Sequence, residues 1–252
     1  MFSLDGKKAL VTGASRGIGR VIATAYAQAG ADVALVARSA DGLEETASAV
    51  REAGQRAVVI PADLLSPEAA PMAVSEAVTQ LGGLDIVVNN AGGSNFMVPV
   101  SDLRLSGWDK VLRLNLDATL LVCQAAGKYL TAQGSGSVIN IASVAGLAAA
   151  PFLGAYGVAK AGVISLTKTL AVEWATSGVR VNALCPGWTA TDLNSNLWGA
   201  PDGGQATIAG VPMARWGRAE EMGGPAIFLA SDAASYMTGQ VLVIDGGLTA
   251  TA

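Results

Sequence analysis

Seven short apolar runs recur along the chain, and six of them lack the polar alternation of a half-exposed strand: Ala9 to Val11, Val33 to Ala37, Ala57 to Ile60, Ile86 to Val88, Val138 to Ala142 and Val241 to Ile244. Runs of Val, Ile and Ala of this length are strands buried on both faces, the pattern of a parallel sheet covered by helices on each side. The seventh run, Val179 to Leu184, is interrupted by Arg180 and Asn182 and predicts a less regular strand.

Segments of helical period lie between the runs. In the first, Ile18, Val21, Ile22, Ala25 and Ala29 form one apolar stripe while Arg20, Thr24 and Gln28 face elsewhere. Alternating strand and helix predict a doubly wound α/β fold with a seven-stranded, mostly parallel sheet. Its crossovers are right-handed, and a ligand crevice is expected beyond the carboxyl ends of the strands. No composition shift divides the chain, and 51% apolar with 14% charged residues suits one core, so residues 1–252 are expected to form one domain. One long stretch has no clear period: Trp188 to Gly217, rich in Gly, Pro, Thr and Asn, where a functional loop is expected.

Charge and composition remove several function classes. A net charge of -4, from 16 basic and 20 acidic residues, gives no footprint for nucleic acid or anionic lipid, so phosphate recognition must be local. The longest uncharged stretch, between Lys128 and Lys160, holds Gly134, Gly136, Asn140, Gly146, Pro151 and Gly154, so it reads as strand and loop and not as a membrane helix. Met1 to Lys8 carries Asp5, Lys7 and Lys8 where a secretory signal needs an apolar core, so a cytoplasmic setting is expected. Cys123 and Cys185 read as buried small hydrophobes in a reduced compartment. With no histidine at all, a Ser-His-Asp triad and the commoner zinc sites are excluded, and no metal is expected.

After the first strand come Thr12, Gly13, Ala14, Ser15, Arg16, Gly17, Ile18 and Gly19, and then the amphipathic helix. Glycines there let backbone approach a diphosphate, and the helix N-terminus offers unpaired N–H groups and partial positive charge. The second strand ends in Ala37-Arg38-Ser39. An acidic side chain at that place would accept from the ribose 2′-hydroxyl of NAD, whereas Arg38 and Arg16 suit a 2′-phosphate, which guanidinium binds as a fork. NADP(H) is therefore the expected cofactor and NAD(H) the alternative. Asp32 begins the strand, at the wrong end to act as that acceptor. Asp63-Leu64 follows the third strand and Asn89-Asn90-Ala91-Gly92 the fourth, which puts both at the crevice rim, although such residues also form ordinary turns.

Tyr156 and Lys160 stand four residues apart on one helix face, and Ser143 closes the fifth strand. A phenol ordinarily titrates near 10, so acid-base work near neutrality requires lowering it by roughly 2 to 3 units, about 3 to 4 kcal/mol. An adjacent ammonium and an oxidised nicotinamide are the expected sources of that shift.

Taken together, these residues resemble the short-chain dehydrogenase/reductase family over essentially the whole chain. Thr12 to Gly19 is similar to its Thr-Gly-x-x-x-Gly-x-Gly motif, and Asn89 to Gly92 to its Asn-Asn-Ala-Gly. Ser143, Tyr156 and Lys160 fall on its catalytic positions, Asn115 on its fourth, and Pro186-Gly187 follows the sixth strand as in the family. Gly239 to Gly247 looks like its closing strand and Asp-Gly-Gly. The resemblance implies a Rossmann fold and a hydride transfer between a nicotinamide cofactor and a small carbonyl or alcohol substrate. Tyr156 would exchange the proton, Ser143 would orient the reacting oxygen, Lys160 would hold the nicotinamide ribose, and Asn115 would hold a water linking Lys160 to solvent. Thr189 stands where the family usually has an aliphatic residue, in a contact made by backbone, and Thr191 matches a hydroxyl that touches the cofactor.

By the same resemblance, the segment 188–217 would cover the substrate, and the helical stretches Trp108 to Leu130 and Tyr156 to Trp174 would build a homotetramer. Reduction of a 3-oxoacyl thioester is the first expectation for the reaction, and oxidation of a sugar or cyclic alcohol with NAD(H) the second. A non-catalytic nucleotide-binding scaffold is a third reading, since fold does not fix function. An S-adenosylmethionine transferase also uses a glycine turn but has no need of Tyr and Lys on one helix.

Overall fold

The computed structural model describes residues 2–94 and 96–251. Seven strands form one sheet: β1 (Lys8–Thr12), β2 (Asp32–Ala37), β3 (Ala57–Pro61), β4 (Ile86–Asn89), β5 (Gly136–Ile141), β6 (Val179–Pro186) and β7 (Val241–Ile244). Their order is β3-β2-β1-β4-β5-β6-β7 and every pairing is parallel. The sheet is thus entirely parallel and belongs to the Rossmann class. Parallel pairing puts all seven carboxyl ends on one edge, so the residues after β1, β2, β3, β4, β5 and β6 meet there although they are far apart in sequence.

The lack of alternation stems from two cores. Ala9, Val11, Val33 and Leu35 face one side, with α1 (Gly17–Gln28), α2 (Ala40–Glu52) and Leu229 of a late helix, Gly223–Ala230. Leu10, Ala34 and Val36 face the other, with α3 (Ala69–Leu81) and the helix Ala118–Gln133. Neighbouring residues of one strand therefore feed opposite cores, and each fully buried Leu or Val contributes roughly 1.5 to 3 kcal/mol. Inside the sheet, Asn89 Nδ2 donates to Asn140 Oδ1 at 2.8 Å and Asn140 Nδ2 donates to Thr167 Oγ1 at 2.8 Å, which ties β4, β5 and the next helix together below the crevice.

Three elements differ from the sequence pattern. The face that α1 buries is Gly19, Ile22, Ala23, Tyr26 and Ala27; of the expected stripe Ile22 is fully buried, Ile18 and Ala29 pack against the same core, and Val21 and Ala25 stay half-buried beside Gly223. The expected helix Trp108 to Leu130 is broken into α4 (Leu105–Leu112), a π-helical turn (Arg113–Asp117) and α5 (Ala118–Gln133), since one wide turn shifts the hydrogen-bond ladder. The aperiodic stretch 188–217 contains a two-residue parallel pair, Thr189–Ala190 with Gly217–Arg218, and the short helices Ser195–Trp198 and Gln205–Ile208. The helix that carries Tyr156 and Lys160 is α6 (Gly154–Trp174). Among the described residues, no helix is long and apolar enough to cross a membrane.

Candidate active site

A cleft of about 1230 Å³ runs along the carboxyl edge of the sheet. Arg38 and the Gly13 turn line one end, and Ser143, Tyr156, Lys160 and Thr191 line the other. At the first end α1 begins after Arg16, whose extended backbone (φ -165°) gives no side-chain cap. The N–H groups of that turn are therefore open to an anion. A Cβ at Gly19 would lie 2.2 Å from the Gly13 carbonyl oxygen and 2.4 Å from Asn90 Nδ2, so only glycine fits there. Asn90 Nδ2 donates to the carbonyls of Thr12 at 3.0 Å and Gly13 at 3.2 Å, while Thr12 Oγ1 accepts from the N–H groups of Asn90 at 3.0 Å and Ala91 at 3.1 Å. The loops after β1 and β4 are thereby stitched together.

Arg16, Arg38, Asp63 and Leu64 all line this end, and no carboxylate closes β2. Asp32 lies at the far end of the strand, where its carboxylate accepts from Arg56 at 2.8 Å. Sequence reasoning missed Arg20, which also lines the cleft. Its Nη2 donates to the Ser15 carbonyl and, at 2.7 Å, to Glu45 Oε2, so it braces the glycine turn against α2. No periodic signal marks it, because it lies off the apolar stripe. A side-chain-free approach, open helix N–H groups and flanking guanidiniums fit a dinucleotide phosphate.

At the other end, the Ala145 N–H donates to Ser143 Oγ at 3.1 Å. Ser143 also lies close enough to the Tyr156 phenol and the Cys185 thiol to lower both against the effect of burial. Lys160 is buried; its Nζ donates to the Ile141 carbonyl at 2.8 Å and lies 5.6 Å from the Tyr156 ring centroid. Tyr156 and Lys160 therefore share a face, as their spacing predicts. The protein's own groups do not, on balance, lower the tyrosine, so the expected lowering would rest on the oxidised nicotinamide. Burial pushes the Tyr156 phenol above its ordinary value, Ser143 partly opposes this, and Cys185 adds to it. The Lys160 amine is committed to Ile141 beneath the ring, and burial lowers it to about 8.

Asn115 sits in the π-helical turn, fully buried behind the cleft. Its Oδ1 accepts from Gly93 N at 2.7 Å, and its Nδ2 donates to the carbonyls of Gly93 and Val111, both at 2.9 Å. A Cβ at Gly92 would lie 2.6 Å from Asn115 Oδ1 and 3.3 Å from Lys160 Nζ, so this loop is pinned between the two side chains. Ala91, Gly92, Pro186, Gly187, Thr189 and Thr191 line the cleft, and the Thr191 hydroxyl donates to Asn194 Oδ1 at 3.2 Å. Of the sequence-predicted residues, Gly19, Asn89 and Asn115 stand behind the lining. Cys185, beside Ser143, is a further neighbour that sequence reasoning treated as mere packing.

A family model described as enoyl-(acyl carrier protein) reductase matches residues 13–249. D-threitol dehydrogenase of Mycolicibacterium smegmatis is 42% identical over 98% of this chain and 95% of that protein. The chain belongs to the short-chain dehydrogenase/reductase family. Its fellow members include the 3-oxoacyl-(acyl-carrier-protein) reductase of Synechocystis, 38% identical over 98% of this chain and 99% of that one. The crystal structure of a gluconate 5-dehydrogenase from Burkholderia cenocepacia, in complex with NADP and tartrate, superposes with a TM-score of 0.93 at 36% identity, covering 99% of this chain and 97% of that one. As a member of this short-chain family the chain is an oxidoreductase acting on CH–OH groups.

Proposed function

We propose that the chain moves a hydride between NADP(H) and a carbonyl or secondary alcohol, with Tyr156 carrying the proton. The observation that carries this reading is Ser143 and Tyr156 together in the lining of one cleft, with the Lys160 amine 5.6 Å from the Tyr156 ring centroid. Ser143 Oγ accepts from Ala145 N–H, and its hydroxyl proton would turn from Tyr156 to a substrate oxygen and orient it. In reduction Tyr156 gives its proton to that oxygen; in oxidation it takes the proton back. The chain raises the phenol, so Tyr156 rests protonated, the form that reduction needs. Lys160, charged below about pH 8, stabilises the phenolate left behind. Asn115 holds the loop beside Lys160 and is the proposed holder of a linking water.

When bound, the nicotinamide supplies or accepts the hydride, and positioning does most of the rest. Gly13, Ser15, Gly17, Ile18 and Gly19 would cradle the diphosphate, with Asp63 and Leu64 at the adenine. Asn90, Ala91 and Gly92 would flank the riboses, and Pro186, Gly187, Thr189 and Thr191 the nicotinamide. Arg16 and Arg38, with no carboxylate at the end of β2, favour NADP(H) over NAD(H). That a relative was crystallised with NADP supports the same choice.

We further propose one domain in which the segment 188–217 covers the substrate, as its Thr191, Leu193 and Leu197 on the cleft support. Exposed Leu105 of α4 and Val158 and Val172 of α6 support subunit contacts of a homotetramer, and two buried free cysteines support a reduced, cytoplasmic setting. The intact Ser143, Tyr156 and Lys160 cluster favours an enzyme over a scaffold. The Synechocystis relative supports a 3-oxoacyl thioester as substrate, whereas the D-threitol and gluconate relatives support a sugar or polyol. NADPH oxidation measured across acyl thioesters, sugars and cyclic ketones tests the reading; no turnover of any carbonyl would overturn it.

A further inference from the structure

The walls beside Tyr156 carry little that recognises a polar substrate. Phe96, Leu153 and Tyr156 line one small cavity, and all three also line the main cleft. Ala148, Ala149 and Pro151 continue that wall. Opposite them, Leu193 packs so close to Gly93 that a Cβ there would meet its Cδ2 at 2.9 Å. The loops that form one side are joined by a backbone bond, Val98 N–H to the Phe152 carbonyl at 2.9 Å, with Phe152 held at φ 67°. Met97, Phe152 and Leu193 stay about half exposed there, apolar surface that an apolar ligand would cover.

Two polar side chains at this end are spent within the protein, while the exposed Asn196 amide also belongs to the lining. The Ser94 hydroxyl donates to the Phe96 carbonyl at 2.8 Å, and the Asn194 amide donates to the Thr189 carbonyl at 2.9 Å and accepts from Thr191 N–H at 2.9 Å. Among the described residues lining this end, Lys160 is the only cation, and its amine already donates to Ile141. The exposed Asp192 adds a carboxylate to the lining beside Thr191 and Leu193, while Arg16, Arg20 and Arg38 lie with the glycine turn and the end of β2.

From these walls we infer that the substrate is an uncharged, mainly hydrocarbon ketone or secondary alcohol, and not a sugar acid, a polyol or a thioester on an anionic carrier. The inference rests on the proposed hydride transfer and names its substrate class. In the reduction the carbonyl carbon gains a hydride from reduced nicotinamide, its oxygen gains the Tyr156 proton, and C=O becomes CH–OH as NADPH becomes NADP+. Solvent returns the proton to Tyr156. A sugar acid would leave its carboxylate unpaired beside Asp192, and a polyol would leave hydroxyls facing Phe96, Leu153 and Leu193; each stranded group costs roughly tenfold.

The test compares kcat/KM of the whole protein with NADPH for cyclohexanone, erythrulose, 5-ketogluconate and acetoacetyl-coenzyme A. The expected result is a value for cyclohexanone at least tenfold above each of the other three. A smaller ratio against any of them, with turnover present, overturns the inference while leaving hydride transfer intact. No turnover of any of the four overturns both. A second arm places a cation on the exposed wall with Ala149→Arg, and with Ala148→Lys should the first variant not fold. Either variant should raise the preference for 4-oxocyclohexanecarboxylate over cyclohexanone about tenfold, and tighten the calorimetric binding of cyclohexanecarboxylate about fivefold. A folded variant that moves neither value overturns the inference.

Discussion

Lys160 donates its amine to the carbonyl oxygen of Ile141, the last residue of β5, at 2.8 Å. The catalytic-end helix is thereby fastened to the sheet edge through a group that is itself ionisable.

This bond has a pH signature. Burial brings Lys160 down to about 8 from its usual 10.5. Below pH 8 the folded state carries a buried ammonium at a cost that the unfolded chain does not bear; above 10.5 both states are neutral and the cost is gone. The group's contribution to stability therefore rises with pH between those values. Lys160→Met removes the cost but strands the Ile141 carbonyl, so the net gain at pH 7 is about 1 kcal/mol, roughly 2 to 4 °C in Tm. Melts at pH 7, 9 and 10.5 should show that gain shrinking and then turning into a loss, because the stranded Ile141 carbonyl remains after the ammonium cost has gone. A gain that grows with pH would refute the assignment.

The glycine turn makes a steric prediction. Gly19→Ala places a methyl 2.2 Å from the Gly13 carbonyl oxygen. It should cost about 2 to 3 kcal/mol, lower Tm by roughly 4 to 12 °C, and weaken NADPH binding at least tenfold. Gly224→Ala meets nothing within 4 Å on an exposed helical position. It should move Tm the other way, upward by roughly 1 to 4 °C. Differential scanning calorimetry and a fluorescence titration check both.

Cofactor choice turns on two guanidiniums. Arg38→Ala and Arg16→Ala should each weaken NADPH about 10- to 100-fold, the worth of a charge-assisted phosphate contact, and leave NADH within about threefold. Equal losses for both cofactors would show that the arginines support the fold and do not read the 2′-phosphate.

The fold is legible in the sequence because Ala9, Leu10 and Val11 must each be buried, which only a sheet covered on both faces allows. The site's chain positions are legible for the same reason: in a parallel sheet the residues just past every strand gather at one edge. Thr189–Ala190 and Gly217–Arg218 are not, since two-residue strands have no period to detect. The π-helical turn at Asn115 is hidden because its extra residue leaves apolar spacing almost unchanged, and the bonds that Asn115 makes there reach Gly93, 22 residues away in sequence. The Ile141 carbonyl that takes a bond from the Lys160 amine also escapes the sequence, because a four-residue spacing gives a shared face but says nothing of what else packs against it.

The role of the Tyr156 phenol is tested most directly by Tyr156→Phe, comparing NADPH affinity by fluorescence titration with steady-state turnover of the best carbonyl found. The Kd should stay within about twofold and kcat should fall about a thousandfold, the worth of a positioned proton donor. Turnover close to that of the parent protein, with NADPH still bound, would contradict the account.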